Sequence, residues 1–186
     1  MRKTKLLAEL LAGLMLLQSL PVYMYADEPV IEPEEVAEEV VVPDRTVIAS
    51  GECGDNITWT LSSDGLLELT GTGDMWGYKG TSGVLGDKLF NQATGLKIGE
   101  GITSIGAWAF AGYSNLSGEL VLPDSLGSIG TGAFQNCSGF TGSLTIPAGM
   151  KNIGKQAFEG CSGFDGVLTI HAGSAFISAY AFADCS

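Results

Sequence analysis

Four cysteines and one histidine are the side chains of this 186-residue sequence that could carry covalent or metal chemistry. Cys137, Cys161 and Cys185 follow one another at intervals of 24 residues, and the single histidine is His171. A zinc site needs ligands at close spacing, and a thiol nucleophile needs a base beside it. The long interval favours neither, so we interpret the three cysteines as small buried side chains. Cys53 is not part of this 24-residue series, and whether it forms a disulfide is left open.

Catalytic motifs are equally scarce in the rest of the sequence. His171 could form a dyad with Asp165 or Asp184, but we interpret it as a turn substitution. No glycine-rich phosphate loop and no Gly-x-Ser-x-Gly motif occurs. The net charge of -12 excludes the basic surface that nucleic acids need. The sequence therefore predicts no catalytic residue, no metal ligand and no cofactor, and the chain is not expected to be an enzyme.

The first 26 residues have the features of an export signal. Arg2, Lys3 and Lys5 precede an apolar run from Leu6 to Leu20, and Ala26 is a suitable residue before a cleavage point. A membrane anchor is the alternative, but the run is short for a bilayer span. We therefore predict a signal peptide at residues 1–26, a secreted or cell-surface location, and no membrane span after cleavage.

Two segments are expected between this signal and the rest of the chain. Residues 27–47 are rich in glutamate and proline, which predicts an acidic linker. Residues 48–95 change character: the runs at 57–61 and 66–70 alternate apolar and polar residues around Asp64-Gly65. This pattern predicts a β-hairpin. We expect residues 48–95 to form a small β-rich N-terminal cap.

An internal repeat of 24 residues dominates the remainder. Apolar residues recur in fixed columns, which are Leu96, Leu120, Leu144 and Leu168; Ile98, Leu122, Ile146 and Ile170; Ile105, Ile129, Ile153 and Ile177; and Phe110, Phe134, Phe158 and Phe182. The repeats are predicted at 96–119, 120–143, 144–167 and 168–186, the last incomplete. The phenylalanine column could be mistaken for a ligand-stacking platform, but we interpret it as core.

One repeat, called a coil below, contains a short strand, a return segment and a bend. Leu144-Thr145-Ile146 alternates in, out and in, and Pro147 ends that strand because it cannot donate to a ladder. Residues 156–160 are long enough for one helical turn. A single coil buries too few side chains to fold alone, so neighbouring coils must stack. The fold class predicted is a leucine-rich repeat solenoid, with short parallel strands and one-turn helical segments.

The recurring pattern Ile-Gly-x-x-Ala-Phe-x-x-Cys, preceded by Leu-x-Ile-Pro, resembles the BspA-type leucine-rich repeats of bacterial surface proteins. It occurs as Ile129-Gly130, Ala133-Phe134 and Cys137, and again as Ile153-Gly154, Ala157-Phe158 and Cys161, with 144–147 between them. Departures include Gly99 and His171 in place of Pro123 and Pro147, and Tyr113 in place of cysteine. The resemblance implies an exported or surface-displayed protein that binds host or microbial partners.

The outward strand positions predict where a partner would bind. These candidate residues, called the predicted face below, are Lys97, Glu119, Val121, Ser143, Thr145, Val167 and Thr169. They contain no aromatic row for sugars, so a protein partner is favoured over a glycan. The function predicted is binding or adhesion without catalysis. Two alternatives stay open, namely an accessory repeat region of a larger surface enzyme with its catalytic part beyond Ser186, and a structural spacer.

Overall fold

The computed structural model describes residues 45–79, 83–171, 173 and 175–185. The predicted signal peptide at 1–26, and the linker as far as residue 44, lie outside the described residues. Within the described ranges, no helix is both long and apolar enough to traverse a bilayer.

A sheet of three antiparallel strands opens the described chain. Its strands are β1 (Val47–Gly54), β2 (Ile57–Ser62) and β3 (Leu66–Gly71). The predicted hairpin is present as β2 and β3, in which Thr60 pairs with Glu68. Strand β1, which the sequence analysis did not identify, pairs with β2 and begins at the last residue assigned to the linker. Strand β3 also pairs in parallel with β5 (Gly95–Ile98), so this sheet continues into the first repeat.

Among the described residues, helix is confined to a short segment before the first repeat. A 3-10 helix at Gly83–Leu85 leads into α1 (Gly86–Leu89), and a second 3-10 helix spans Phe90–Gln92. The Val84 N–H donates to the Ala109 carbonyl at 2.9 Å, and the Leu85 N–H donates to the Tyr113 hydroxyl, also at 2.9 Å. These bonds fix the segment against the first coil.

A second sheet runs through every coil. It contains β4 (Gly73–Asp74), β6 (Ile102–Ile105), β7 (Ser128–Ile129), β9 (Asn152–Ile153) and β11 (Phe176–Ile177), in that order and all parallel. Ile105 pairs with Ile129 and Ile129 with Ile153, so each rung advances by one repeat. The 24-residue period is therefore the register of this ladder.

The ladder predicted at the Leu96 column is interrupted, which corrects the expectation of one strand in every repeat. Strands β8 (Leu144–Ile146) and β10 (Leu168–Ile170) pair in parallel, but residues 120–122 form no strand. Proline explains the gap. Gly99 and His171 donate their N–H groups to the preceding rung, at 2.9 and 3.1 Å, whereas Pro123 and Pro147 at the equivalent positions have none. The second coil therefore lacks this backbone hydrogen bond to the first coil, at Pro123, and to the third coil, at Pro147.

The predicted one-turn helical segments are also wrong, because residues 155–160 form consecutive turns. Gln156 and Gly160 have φ values of 59° and 71°, which a right-handed helix does not allow. Alternate N–H groups instead point to the next coil: Gln156, Phe158 and Gly160 donate to the carbonyls of residues 179, 181 and 183 at 3.2, 2.8 and 2.9 Å. The segment therefore acts as a third ladder between coils.

The core lies between the ladders and is continuous from coil to coil. Phe110, Phe134 and Phe158 are fully buried, and adjacent rings stack nearly parallel at 5.2 and 5.3 Å. Phe182 continues the stack at 5.2 Å but is only partly buried. Their burial confirms that the phenylalanine column is core.

Candidate functional site

The cysteine column is buried, as the spacing predicted. Cys137 and Cys161 are fully buried, Cys185 is half-buried, and all are free thiols, as is the buried Cys53. The Cys137 and Cys161 thiols each donate to a phenylalanine carbonyl of the preceding coil, Phe110 or Phe134, at 3.0 Å. Loss of water raises the pKa of Cys161 and of Cys53 to about 12 and that of Cys137 well above its ordinary value. These thiols are protonated near neutral pH, so they are poor nucleophiles.

The other candidates for chemistry lie apart from one another or at the surface. His171 is exposed and follows β10, where its backbone N–H completes a ladder bond. Asp165 is exposed as well, and its carboxylate accepts from the Gly142 N–H at 2.8 Å. Among the described residues, no group of three histidine, cysteine, aspartate or glutamate side chains could hold a metal ion.

The predicted face is solvent-accessible along its length. Lys97, Glu119, Val121, Thr145 and Val167 are exposed, and Ser143 and Thr169 are half-buried. Thr145 and Thr169 are register partners on β8 and β10. The Ser143 hydroxyl accepts from the Val167 N–H at 2.9 Å. The structure therefore pairs the end of the second coil with the end of the third, at Ser143 and Val167, and the third coil with the fourth, at Thr145 and Thr169.

The second coil breaks the regularity of this face. Glu119 and Val121 flank the segment that makes no strand, and Val121 is two-thirds exposed. Its side chain stands between the polar residues Lys97 and Thr145 in the repeat column. Val167 is exposed to the same extent, so the predicted face mixes apolar and polar side chains along its length.

The sequence analysis missed the extension of this face onto the N-terminal sheet. Glu68 on β3 is the register partner of Lys97, and its carboxylate accepts from the lysine ammonium at 2.6 Å. Beyond it, the hydroxyls of Thr58 and Thr70 are 3.2 Å apart and exposed. The alternation of apolar and polar residues in the hairpin indicates this extension, because Thr58, Glu68 and Thr70 occupy outward positions. These three residues lengthen the accessible surface, and the ion pair with Glu68 neutralises the charge of Lys97.

The five-stranded sheet presents a second outward surface. On it, the Thr103 hydroxyl donates to the Asp74 carboxylate at 2.7 Å. Hydrogen bonds from Thr103 and then Ser104 hold the pKa of Asp74 below its ordinary value. Asn152 and Phe176 continue the surface and are exposed. This surface has no equivalent gap, because β4, β6, β7, β9 and β11 pair without interruption.

Together these features define a leucine-rich repeat protein, whose described residues form short parallel strands, few helices and rows of exposed strand side chains. The chain belongs to the BspA-type leucine-rich repeat family: the family model described as "BspA type Leucine rich repeat region (6 copies)" matches residues 84–186, more than half of the chain. The resemblance inferred from the sequence is thereby confirmed. Families of this kind are generally non-catalytic and mediate protein interactions.

Two solved structures are similar to the chain. One is a leucine-rich repeat protein from Eubacterium ventriosum ATCC 27560, with 22% identity, a TM-score of 0.48, and coverage of 72% of this chain and 45% of that one. The other is a leucine rich cell surface protein from Faecalibacterium prausnitzii A2-165, with 18% identity, a TM-score of 0.37, and coverage of 76% and 46%. The chain spans less than half the length of either protein. No curated protein matches it.

Proposed function

We propose that this chain is an exported, surface-located binding module that recognises a protein partner and performs no catalysis of its own. In this proposal the coils form a solenoid, the sheet of β1 to β3 caps its first coil, and the predicted face contacts the partner. The family assignment supports a protein-interaction role. Adhesion to a host or microbial surface is the biological form of that role that we propose.

The observation that carries the proposal is the exposed row on the strands of the predicted face. Thr145 lies directly opposite Thr169, and Lys97 directly opposite Glu68, so several coils contribute neighbouring side chains to one surface. Such a row suits another folded protein, because the contact area grows with each coil. The exposed Val121 and Val167 supply apolar contact area among polar residues, and protein interfaces combine both kinds of contact.

The charge of the face favours a protein over an anionic or strongly cationic ligand. Lys97 is paired with Glu68, and the threonines are neutral, so Glu119 is the one unpaired ionised side chain among the seven residues. The seven also include no aromatic ring on which a sugar could stack. A partner that makes hydrogen bonds and apolar contacts is therefore better matched than a polyanion or a glycan.

A charge-reversal variant tests the face. In the triple variant Lys97→Glu, Thr145→Glu and Thr169→Glu, three carboxylates would repel a partner fitted to a neutral surface. We expect the biotinylated full chain to retain a defined set of proteins from bacterial and epithelial cell-surface extracts, identified by quantitative mass spectrometry. The triple variant should retain them at least about tenfold less.

A matched variant controls for charge. Lys151→Glu, Asn152→Glu and Ser162→Glu add the same negative charge at exposed positions outside the predicted face. This control should bind like the original chain, and circular dichroism should show both variants folded. Equal retention by the two triple variants would reject the predicted face. Failure of the unmodified chain to retain any protein would favour the spacer alternative.

A further inference from the structure

A tryptophan lies on the third ladder, where the turns of the first and second coils meet. Trp108, Gly132 and Gln156 occupy the same position in the first three coils, because each donates its N–H to the next coil, at 2.9, 2.9 and 3.2 Å. Their φ values are 59°, 60° and 59°. This left-handed conformation suits glycine and disfavours a bulky side chain. Backbone geometry alone therefore does not explain a tryptophan at the first of these positions.

The indole of Trp108 covers the glycine of the second coil. A Cβ atom at Gly132 would lie 2.6 Å from both Cε3 and Cζ3 of the ring, so glycine is the residue that leaves room for it. Gly132 is buried, whereas Gln156 at the same position one coil later is half-buried. Trp108 is half-buried too, and its Nε1 donates to no acceptor among the described residues. The ring therefore rests with one face on the coil and turns the other face towards solvent.

Polar side chains of the second and third coils border this ring. Gln135 lies in the same turn as Gly132, whose carbonyl accepts from the Gln135 N–H at 3.1 Å, and Gln156 follows Gly132 in the next coil. Both glutamine amides donate from Nε2 to Oε2 of Glu159, the Gln135 amide at 2.7 Å. The Oε1 atoms of these three side chains accept from no described residue. Because one carboxylate oxygen fixes both amides, three free acceptors are held beside the ring.

An aromatic face beside fixed hydrogen-bond acceptors matches the chemistry of a pyranose sugar. The axial C–H groups of a β-linked pyranose form an apolar face with small positive charges, which the negative face of an indole attracts. The hydroxyls at the edge of the same sugar are donors, as the Oε1 acceptors require. A nucleobase would stack on the indole equally well, but it belongs to a polyanion, and the chain has a net charge of -12. An apolar protein side chain would cover the ring and leave the three acceptors unpaired.

We propose that Trp108, Gln135, Gln156 and Glu159 form a glycan-binding site, in which a pyranose of a neutral, β-linked glycan stacks on the exposed face of the indole. The hydroxyls at the edge of that sugar donate to the free oxygens of the two amides and the carboxylate. All four side chains are half-buried, so the site is a surface platform for one sugar unit of a larger glycan. It shares no residue with the predicted face, so the inference does not depend on the proposed protein partner.

Oligosaccharide titration of the full chain tests the proposal. The probes are the β-linked tetrasaccharides of glucose, galactose and N-acetylglucosamine, with calorimetry to give each dissociation constant. We expect at least one of the three to bind saturably. In heteronuclear NMR spectra of the unmodified chain, that tetrasaccharide should shift the Nε1–H signal of Trp108 and leave the Nε1–H signal of Trp76 in place.

Two variants and a matched control assign the binding to this geometry. Trp108→Gln introduces the residue that the third coil has at the same φ, and it should raise the dissociation constant at least about tenfold. Gly132→Gln keeps the tryptophan but places a side chain where the indole rests, so it should weaken binding by a similar factor. The control Trp76→Ala removes a 43% exposed tryptophan whose Nε1 donates to Asp55 at 3.0 Å, and it should leave the constant unchanged. Circular dichroism should show all three proteins folded.

Several results would overturn the glycan site. They are a lack of binding by all three tetrasaccharides, binding that Trp108→Gln leaves intact, equal weakening by Trp76→Ala, and no shift of the Trp108 signal. If no tetrasaccharide bound and Trp108→Gln lowered the retention of cell-surface proteins, the ring would belong to a protein interface instead. The triple variant Lys97→Glu, Thr145→Glu and Thr169→Glu should bind the tetrasaccharide normally, so the two proposals can fail separately.

Discussion

At the residue scale, burial decides what the cysteines can do. Their thiols donate to carbonyls of the preceding coil, at 3.0 Å for Cys137 and Cys161, and so serve as small donors inside the core. The sequence predicted this role from spacing alone, because one cysteine per coil places each thiol in the same environment. It could not assign Cys53, whose burial depends on contacts made far along the chain, including the Gly54–Met75 bridge next to it.

The same burial predicts how stability depends on alkaline pH. Desolvation raises the pKa of Cys53 and Cys161 from 9.0 in the unfolded chain to about 12 in the folded protein. Unfolded thiols therefore lose protons first, and the stabilisation that is fully present below pH 9 is lost as pH rises towards 12. Urea unfolding measured at pH 7 to 11 should show that the free energy of unfolding falls above pH 9. In the Cys53→Ala/Cys161→Ala variant the free energy of unfolding should fall less over the same pH range. The same pH dependence in both proteins would contradict the role given to the two buried thiols.

At the element scale, hydrogen bonds between coils outweigh local preference. The sequence predicted the strands at 144–146 and 168–170 because they alternate, and both are present. The repeat columns also predicted a strand at 120–122, and this prediction was wrong. Pro123 and Pro147 lack the N–H groups that would bond one coil to the next, and a single coil does not reveal that loss. The one-turn helix at 156–160 failed for a related reason. Its alternate N–H groups bond to the next coil, which no property of a single coil reveals.

Replacing the two prolines should restore the missing rungs. In Pro123→Ala/Pro147→Ala, new N–H groups are aimed at the carbonyls of Ile98 and Leu122. A hydrogen bond contributes about 1 kcal/mol, and loss of proline rigidity costs a similar ~0.4–1 kcal/mol, so the melting temperature is a poor measure. Hydrogen exchange by NMR should instead show both new amides protected at least about tenfold, and we expect the same of the His171 amide, which already makes this bond. Exchange at the unprotected rate would contradict the role given to proline.

At the scale of the whole molecule, the 24-residue period sets both the core and the surface. It places Phe110, Phe134, Phe158 and Phe182 in one stack, and the outward strand positions in one row. This much followed from the sequence, because identical spacing implies identical environment. The sequence did not predict that the predicted face extends to Glu68. That extension depends on the parallel pairing of β3, which lies before the repeats, with β5 of the first repeat.

The most direct test of coil-on-coil stacking is amide hydrogen exchange across the turn ladder. Gly132, Phe134 and Asn136 donate to the third coil, and Gln156, Phe158 and Gly160 donate to the fourth. Tyr180, Phe182 and Asp184 occupy the same positions with no further described coil above them. In dilute, monomeric protein we expect the first six amides to exchange slowly and the last three rapidly. Equal exchange in all nine would contradict the stacked arrangement on which the binding surface depends.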